Sequence, residues 1–371
     1  MTKMHFKPNT SPTLGVEIEL QLVDADDMSL SSCIDELLAT IPSHLQDSVK
    51  PELMQCYVEI NTRICRTVKE VGEDLGEKIA EVERIVDKLG MRLFWAATHP
   101  FSSWRHQQIT VNERYFRLVA LMEDVARRLV TFGLHVHVGV DSGDKAVMIC
   151  DRMQQHLPLL LALSANSPFW EGRNTGLKSN RSKIMEGLPT AGLPYQMRNW
   201  SEYVWLVNHL IDTGFINSIR EIWWDIRPHH HFGTVEIRVC DVPANLSQVL
   251  AITALIQCLV HTISNEIDEG TFLGDYHPMM VEQNKWRATR YGADAALVSS
   301  HDYQQRSVQV IVDTLVEQLT PAAIELGCLA ELQSVRHIPS QTGAVRQLEI
   351  FDATRSRREV VRQMIEENAG R

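Results

Sequence analysis

The sequence lacks the short motifs that most often mark phosphate binding or hydrolysis. No GxxxxGK[ST] loop and no GxGxxG fingerprint occurs in the chain, so the two common backbone cradles for nucleotide phosphates are excluded. No GxSxG or HExxH segment occurs either, which argues against serine hydrolases and zincin metalloproteases. Phosphate or metal chemistry in this protein must therefore be carried mainly by side chains.

Paired cysteines and an excess of basic residues are also missing. The cysteines are scattered, odd in number and without a CxxC pair, which is typical of a reduced, cytoplasmic protein. They are Cys33, Cys56, Cys65, Cys150, Cys240, Cys258 and Cys328. The 47 acidic residues outnumber the 36 basic ones, and the net charge of -11 argues against general nucleic-acid binding, which needs a basic face.

Hydrophobic runs of the membrane type are missing as well. The first residues, MTKMHFKPNTSPTLG, do not contain the apolar core of a signal peptide. The longest apolar stretch, Leu246–Ser264, includes Gln248, Gln257 and His261, so we predict a buried core helix and not a membrane span. The chain is 44% hydrophobic and 22% charged over 371 residues, which is enough to build a large globular core.

The segment Gly15–Leu22 (GVEIELQL) is the strongest positive signal. Its apolar residues alternate with Glu17, Glu19 and Gln21, and a period of two is typical of a half-buried strand. On a helix the two glutamates would point about 200° apart, whereas on a strand they share one face at roughly 6–7 Å. That separation suits two neighbouring metal ions. An exposed strand face with two solvated carboxylates is the alternative for this segment alone.

Three later segments repeat this design, with polar side chains on one face of an otherwise apolar strand. They are Tyr57–Thr62 with Glu59, Leu134–Val140 with His135 and His137, and Thr234–Val239 with Glu236 and Arg238. Carboxylates combined with imidazoles suit Mg²⁺ or Mn²⁺ and tolerate Zn²⁺. The pattern predicts an α+β fold: one curved, mainly antiparallel sheet with a metal site on its concave face and helices on its convex face.

Two nearby segments are harder to place. Glu52 precedes Glu59 by seven residues, and this odd spacing would put the two on opposite faces of one regular strand. Glu52 can therefore reach the site only if a bulge or a loop intervenes. The run His229–His231 follows Pro228 and is predicted as a polar loop rather than a set of metal ligands, because adjacent side chains on an extended chain point in different directions.

The segments between these strands predict helices and one long irregular stretch. Val68–Leu89 has apolar residues at spacings of three and four and is followed by Gly90, so it predicts a helix. A second helix is predicted from Tyr115 to Phe132 by the same pattern. Residues 167–200 are irregular but rich in aromatic and basic side chains, which favours an ordered lid or substrate-binding loop.

Spacing alone leaves two kinds of chemistry open. Divalent ions held by glutamate and histidine can clamp nucleotide phosphates while arginines such as Arg227 and Arg238 neutralise a transferring phosphoryl group. The same ligands can activate a water molecule in a metal-dependent hydrolase.

A resemblance to a known family bears on this choice. The segments that carry it are GVEIELQLVD, PELMQCYVEINT, HVHVG, SNRSKIMEGLPTAGLP, WWDIRPHHHFGTVEIRVCD and NKWRATRYG, spanning Leu14 to Gly292. Together they resemble the carboxylate–amine ligases of the glutamate–cysteine ligase type 2 family, in the glutamine synthetase-like superfamily. The resemblance implies a half-barrel sheet with flanking helices, ATP as cosubstrate, and Mg²⁺ or Mn²⁺. It also implies formation of an amide through an acyl phosphate, nominally from L-glutamate and L-cysteine to give γ-glutamylcysteine.

The resemblance assigns roles to individual positions. The residues that resemble metal ligands are Glu17, Glu19, Glu52, Glu59, His135 and Glu236. Arg238 and Arg227 resemble residues that act on the transferring phosphoryl group or the substrate. Residues expected beside the nucleotide or a substrate carboxylate are His137, Arg181 and Arg290.

The complete expectation is a single catalytic domain over residues 1–371, with a core at about 14–292 and a C-terminal helical segment at about 305–368. Its partners would be small-molecule substrates in the cytoplasm, without nucleic acid or membrane, and a homodimer is expected only because symmetric dimers are common. The alternatives are a metal-dependent amide hydrolase on the same scaffold and a nucleotide-binding protein without turnover.

Overall fold

An antiparallel sheet formed by the alternating segments lies at the centre of the computed structural model, which describes residues 4–271, 276–299 and 302–368. The strands within these ranges are β1 (Leu14–Asp24), β2 (Val49–Pro51), β3 (Tyr57–Asn61), β4 (Met91–Phe94), β5 (Gly133–Gly139), β6 (Phe169–Trp170), β7 (Arg173–Asn174), β8 (Ile226–His229), β9 (Thr234–Asp241), β10 (Ala296–Val298) and β11 (Gln305–Ser307). The central sheet has the order β2-β3-β1-β5-β9-β8, and β4 also pairs with β1. Strand pairs β6–β7 and β10–β11 form separate hairpins.

The register of the central sheet aligns the polar residues of neighbouring strands. Glu19 lies opposite Glu59, and Glu17 lies opposite His135. Because side chains alternate between faces along a strand, these pairs place the predicted site residues on one face. The other face carries the apolar residues and is buried in the main hydrophobic core. The predicted antiparallel sheet is confirmed.

A bulge in β9 interrupts this register beside His135. The pairing shifts between Leu134 and Val136, so Arg238 and Val239 together occupy the position opposite one residue of β5. The backbone N–H groups of both Arg238 and Val239 donate to the carbonyl of Asp225, at 2.8 and 3.1 Å. The bulge therefore changes the direction of the strand where it delivers Arg238 to the polar face.

Helices cover the apolar face. Those within the described ranges are α1 (Ile34–Thr40), α2 (Val68–Lys88), α3 (Glu113–Met122), α4 (Asp124–Arg127), α5 (Gly143–Met153), α6 (Leu157–Ser164), α7 (Asn180–Met185), α8 (Trp200–Asp212), α9 (Leu246–Asp268), α10 (Pro278–Tyr291), α11 (Val308–Leu326), α12 (Leu329–Ser334), α13 (Gly343–Thr354) and α14 (Arg357–Asn368). Helices α2, α5, α6 and α9 pack on the central strands, and α11 and α12 pack on α9. Although α9 is long and apolar enough to cross a membrane, 72% of its most apolar window is buried inside the protein, as predicted for a core helix.

One predicted helix is interrupted. The helix expected from Tyr115 to Phe132 ends at Met122, because Glu123 adopts a left-handed backbone conformation with φ of 47°. The short α4 follows, and the chain from Leu129 to Phe132 then leaves the helix to enter β5. The apolar spacing continues across the break, but Val125 is 38% exposed. The apolar residues therefore do not form one continuous buried helix face, although their spacing predicted one.

Residues 167–199 are ordered and are fixed to the rest of the protein. They contain the β6–β7 hairpin and α7. The buried Lys285 of α10 forms ion pairs with Glu186, just after α7, and with Asp225, just before β8, at 2.9 and 2.6 Å. The backbone N–H of Asp225 also donates to the carbonyl of Gly192. These contacts hold the segment against the edge of the sheet.

Candidate functional site

A cavity of about 530 Å³ lies on the polar face of the central sheet, and we call it the hollow. The predicted site residues that line it are Glu17, Glu19, Glu52, Glu59, His135, His137, Arg181, Arg227, Glu236 and Arg238. The exception is Arg290, whose guanidinium donates to the carbonyl of Gly176 and lies over the ring of Tyr291. Arg290 is not among the lining residues, although its neighbour Thr289 contacts Ser182 of α7.

Three glutamates form the carboxylate cluster at one end of the hollow: Glu19, Glu52 and Glu59. Glu52 reaches it because β2 ends at Pro51 and a loop precedes β3, so the even–odd argument of a single strand does not apply. Its carbonyl accepts a hydrogen bond from Thr110 Oγ1 at 2.5 Å, which fixes this loop. The loop that the sequence required for Glu52 is therefore present.

The carboxylate cluster resists ionisation. Burial, followed by the charges of Glu59 and Glu19, raises the pKa of Glu52 well above its usual value. Burial and the charge of Glu17 raise the pKa of Glu59, although Asn61 donates a hydrogen bond to it at 2.8 Å. Burial raises the pKa of Glu19 to about 7, opposed by the charge of Arg181 and a hydrogen bond from Gly133 N–H. Like charges in a poorly solvated hollow explain all three shifts.

The other end of the hollow contains the paired cluster: Glu17, His135, His137, Arg227, Glu236 and Arg238. Glu17 lies 3.3 Å from His135 Nδ1 and 3.6 Å from His137 Nε2. Burial would raise the pKa of Glu17, but hydrogen bonds with both histidines hold it well below its usual value. Burial lowers the pKa of His135 to about 4, whereas the carboxylates of Glu236 and Glu17 outweigh burial and raise the pKa of His137. Glu17 and His137 therefore favour each other's charged forms, whereas burial favours the neutral form of His135.

Glu236 is the most enclosed carboxylate of the hollow, with 1% of its surface exposed. Arg227 Nε and Nη2 donate to its two oxygens at 2.7 and 3.2 Å, and Arg238 Nη1 donates to Oε1 as well. Burial opposes ionisation, but these two guanidinium groups hold the pKa of Glu236 well below its usual value. Arg227 Nη1 also donates to the carbonyls of Ile219 and Ile222, so its own donors are largely used inside the protein.

Arg181 lies beside Glu19 and lines the hollow. Only 4% of its surface is exposed, and among the described residues its Nε has no hydrogen-bond partner. Its other nitrogens donate at 3.4 Å to the carbonyls of Val239 and Arg238. A side chain at Gly133 would collide with the guanidinium, since a Cβ there would lie 2.3 Å from Nη2. Glycine at the start of β5 thus makes room for this cation.

Asp241 supports the site from behind, and the sequence did not reveal this, because the residue looks like the polar end of a strand. It is fully buried, and it accepts hydrogen bonds from the N–H of Asn166, Ser167 Oγ and Ser179 Oγ at 2.7–2.9 Å. Arg181 Nη1 lies 4.0 Å from it. Asp241 therefore fixes the start of α7 and the cation that α7 carries. An acidic residue directly after the buried run of β9 was the available signal.

The donor set has the chemistry of a divalent-cation site. A divalent cation would favour the ionised form of these carboxylates and would offset their mutual repulsion. Their oxygen atoms are also the ligands that Mg²⁺ and Mn²⁺ prefer. In the described residues, however, no group of three or more His, Cys, Asp or Glu side chains is arranged to hold a metal ion directly. The residues fit such an ion by type and charge.

Comparison with known proteins identifies the family. The model of glutamate–cysteine ligase family 2 matches residues 13–368. A protein of Gloeobacter violaceus named "Putative glutamate–cysteine ligase 2" is 42% identical over 354 residues, which cover 95% of each chain. A protein of Frankia casuarinae named "Putative glutamate–cysteine ligase 2-1" is 43% identical over 343 residues, covering 91% of this chain and 90% of its own.

Solved structures confirm the fold. The glutamate–cysteine ligase of Francisella tularensis, solved in complex with AMP, aligns with a TM-score of 0.71 at 13% identity, covering 98% of this chain and 90% of its own. The bifunctional glutathione synthetase of Pasteurella multocida aligns with a TM-score of 0.68 at 15% identity, over 97% of this chain and 51% of its own. The expected glutamine synthetase-like architecture, an open and mainly antiparallel sheet with helices, is thus confirmed. The chain belongs to glutamate–cysteine ligase family 2.

Proposed function

We propose that this protein is an ATP-dependent carboxylate–amine ligase that forms an amide through an acyl phosphate. The γ-phosphate of ATP would be transferred to a carboxylate, and an amine would then displace phosphate to leave ADP and the amide. The nominal substrates are L-glutamate and L-cysteine, giving γ-glutamylcysteine. Membership of the family supports the reaction class.

The observation that carries this proposal is the convergence of acidic, imidazole and guanidinium groups from separate strands on one hollow. The proposed metal ligands are Glu17, Glu19, Glu52, Glu59, His135 and Glu236. When bound, Mg²⁺ or Mn²⁺ would clamp the nucleotide phosphates and offset their charge. A hollow that joins carboxylates of raised pKa with fixed arginines has both the cation-binding and the anion-stabilising groups that phosphoryl transfer requires.

The arginines and His137 have different proposed parts. Arg238 lies beside Glu236 and would stabilise the phosphoryl group in transfer, while Arg227 would hold Glu236 in its orientation through the two-point contact. Arg181, with its unpartnered Nε, would bind a substrate carboxylate or a phosphate oxygen. The charged form of His137 would add positive potential beside the phosphates. The resemblance also suggested such a part for Arg290, but its position outside the hollow gives this no support.

The test is a screen for ADP and phosphate release with ATP and Mg²⁺ present, pairing carboxylic amino acids with a panel of amines. We expect ADP release that needs both a carboxylate and an amine, with the amide detected by mass spectrometry. Amide cleavage that proceeds without nucleotide would replace the ligase with the amide hydrolase. Nucleotide binding without ADP release for any amine would favour a protein without turnover.

We also propose a cytoplasmic setting and a homodimer. The seven cysteines are all buried free thiols, which suits a reducing compartment. The dimer rests on the frequency of symmetric dimers alone and is tested by light scattering of the purified protein.

A further inference from the structure

Aromatic rings gather where β8 turns into β9, at the rim of the hollow. We call residues His229–Gly233 the aromatic turn. The rings of His229 and Phe232 are stacked, with centroids 4.2 Å apart and an angle of 11° between their planes. His137, inside the hollow, meets both rings edge-on at 5.5 and 5.7 Å. Phe232 lines the hollow but remains 54% exposed.

The aromatic turn is held from behind by the beginning of the chain. Asn9 Nδ2 donates to the carbonyls of Phe232 and Gly233 at 2.8 and 2.9 Å, and Lys7 N–H donates to the carbonyl of His230 at 3.0 Å. Gly233 has φ of 66°, and a Cβ there would lie only 1.6 Å from the carbonyl oxygen of Lys7. These contacts fix the backbone that carries the two rings.

The aromatic turn continues directly from the paired cluster. Thr234 follows Gly233, and Glu236 lies two residues further along β9, which is about 7 Å at the rise of a strand. A molecule whose anionic part is held by the cations of the paired cluster, beside Glu236, would therefore have its next portion against the rings. Phe232 is 54% exposed and already stacks with one planar ring, so its ring favours a planar aromatic partner.

We propose that the stacked rings of His229 and Phe232 bind the base of the nucleotide, and that Asn9 is a positioning residue that holds them at the rim. This inference rests on the proposed use of ATP. Recognition would come from stacking of the base on an aromatic side chain. The triphosphate would be bound separately, by the groups of the paired cluster.

The experiment compares a nucleotide with an anion that has no base. Binding of ATP and of tripolyphosphate, each with Mg²⁺, is measured by calorimetry for the wild type and for Phe232→Ala. We expect ATP affinity to fall by about 5- to 100-fold and tripolyphosphate affinity to change by less than about 2-fold. Phe232→Trp should restore ATP binding.

Phe215→Ala is the matched control, because Phe215 is 73% exposed but does not line the hollow. It should leave the affinity for both ligands unchanged. Asn9→Ala should weaken ATP binding less than Phe232→Ala does and should also spare tripolyphosphate. A loss of folding would reduce both ligands equally, so the ratio of the two affinities separates positioning from a structural effect.

Two results would overturn the inference and leave the ligase proposal standing. One is unchanged ATP binding in Phe232→Ala, and the other is an equal loss for ATP and tripolyphosphate. Failure of the wild type to bind ATP at all would instead remove the ATP-dependent function, and this inference with it.

Discussion

The carboxylate cluster and the paired cluster both contain glutamates, yet the pKa values of these glutamates are shifted in opposite directions. Glu52 and Glu59 have raised pKa values, whereas Glu17 and Glu236 have lowered ones. Burial opposes ionisation in all four cases. The difference comes from the neighbours, which are other carboxylates at one end and imidazole or guanidinium groups at the other.

Because of this difference, we expect the paired cluster to contribute to folding stability and the carboxylate cluster to contribute mainly to cation binding. At the paired end, charges balance inside the protein, so removing one partner leaves the other uncompensated. At the carboxylate end, the like charges oppose each other and contribute no such balance. Carboxylates that lie close together despite their mutual repulsion are typical of a site that binds a cation.

The largest expected effect is on turnover, and it should be shared by both clusters. Glu19→Gln and Glu236→Gln should each reduce ADP formation by about 10²–10³-fold, because each removes a charge proposed to hold a cation at the transferring group. The measurement is a coupled assay of ADP release with saturating Mg²⁺. Undiminished turnover in both variants would remove the roles proposed for these residues.

Folding stability should then distinguish the clusters. Glu236→Gln leaves Arg227 and Arg238 without their buried counter-charge and should lower the free energy of unfolding by about 3–5 kcal/mol. Glu52→Gln is the matched control, because burial and neighbouring carboxylates raise the pKa of Glu52 and glutamine is the uncharged counterpart of its protonated form. It should change stability by less than about 1 kcal/mol. Urea denaturation without divalent cations measures both. Equal destabilisation by the two substitutions would contradict the contrast between the clusters.

The pH dependence of folding stability should show that the pKa of Glu19 is raised in the folded protein. The pKa of Glu19 is about 7 in the folded protein, against an ordinary value of 4.5. Between these values the folded state binds more protons than the unfolded state, so this contribution to stability is present at pH 4.5 and is lost as pH rises through 7. The free energy of unfolding of the wild type, relative to Glu19→Gln, should fall by up to about 3 kcal/mol over this range. A rise would mean that Glu19 is stabilised in its ionised form.

The smallest expected effect is that of the cation itself. Mg²⁺ at 100 times its dissociation constant should raise the free energy of unfolding of the wild type by about 2.7 kcal/mol. At the same Mg²⁺ concentration, the increase in the free energy of unfolding should be smaller for Glu59→Gln, because one ligand of the cluster is removed. Thermal unfolding with Mg²⁺ and with a chelator gives this difference. The same gain in both proteins would place the cation outside the carboxylate cluster.

Much of this arrangement was predictable because it depends on a short period. The alternation in Gly15–Leu22 and its later counterparts fixed which side chains share a face, and the register of β1, β3, β5 and β9 then brought those faces together. The long helix predicted at Val68–Leu89 is likewise present as Val68–Lys88. Local patterns of this kind survive folding because the core needs the same apolar face that the pattern displays.

The features that escaped prediction depend on contacts between distant segments. The apolar spacing past Met122 could not reveal that Glu123 turns the chain out of the helix. The predicted polar loop at His229–His231 lies on the rim of the hollow, held there by Asn9 from more than two hundred residues away. The opposite protonation of the two clusters was also hidden, because it depends on which charged groups meet and not on which residues alternate.

The contact between the chain's beginning and the aromatic turn has a practical consequence for anyone labelling the protein. An affinity handle or fluorophore attached close to Lys7 would lie beside Asn9 and the aromatic turn at the rim of the hollow. At the other end of the chain, Asn368 bonds to the carbonyl of Ala244, which lies past the far end of β9. Immobilisation through α14 would therefore place the support near the end of β9 that is opposite the aromatic turn.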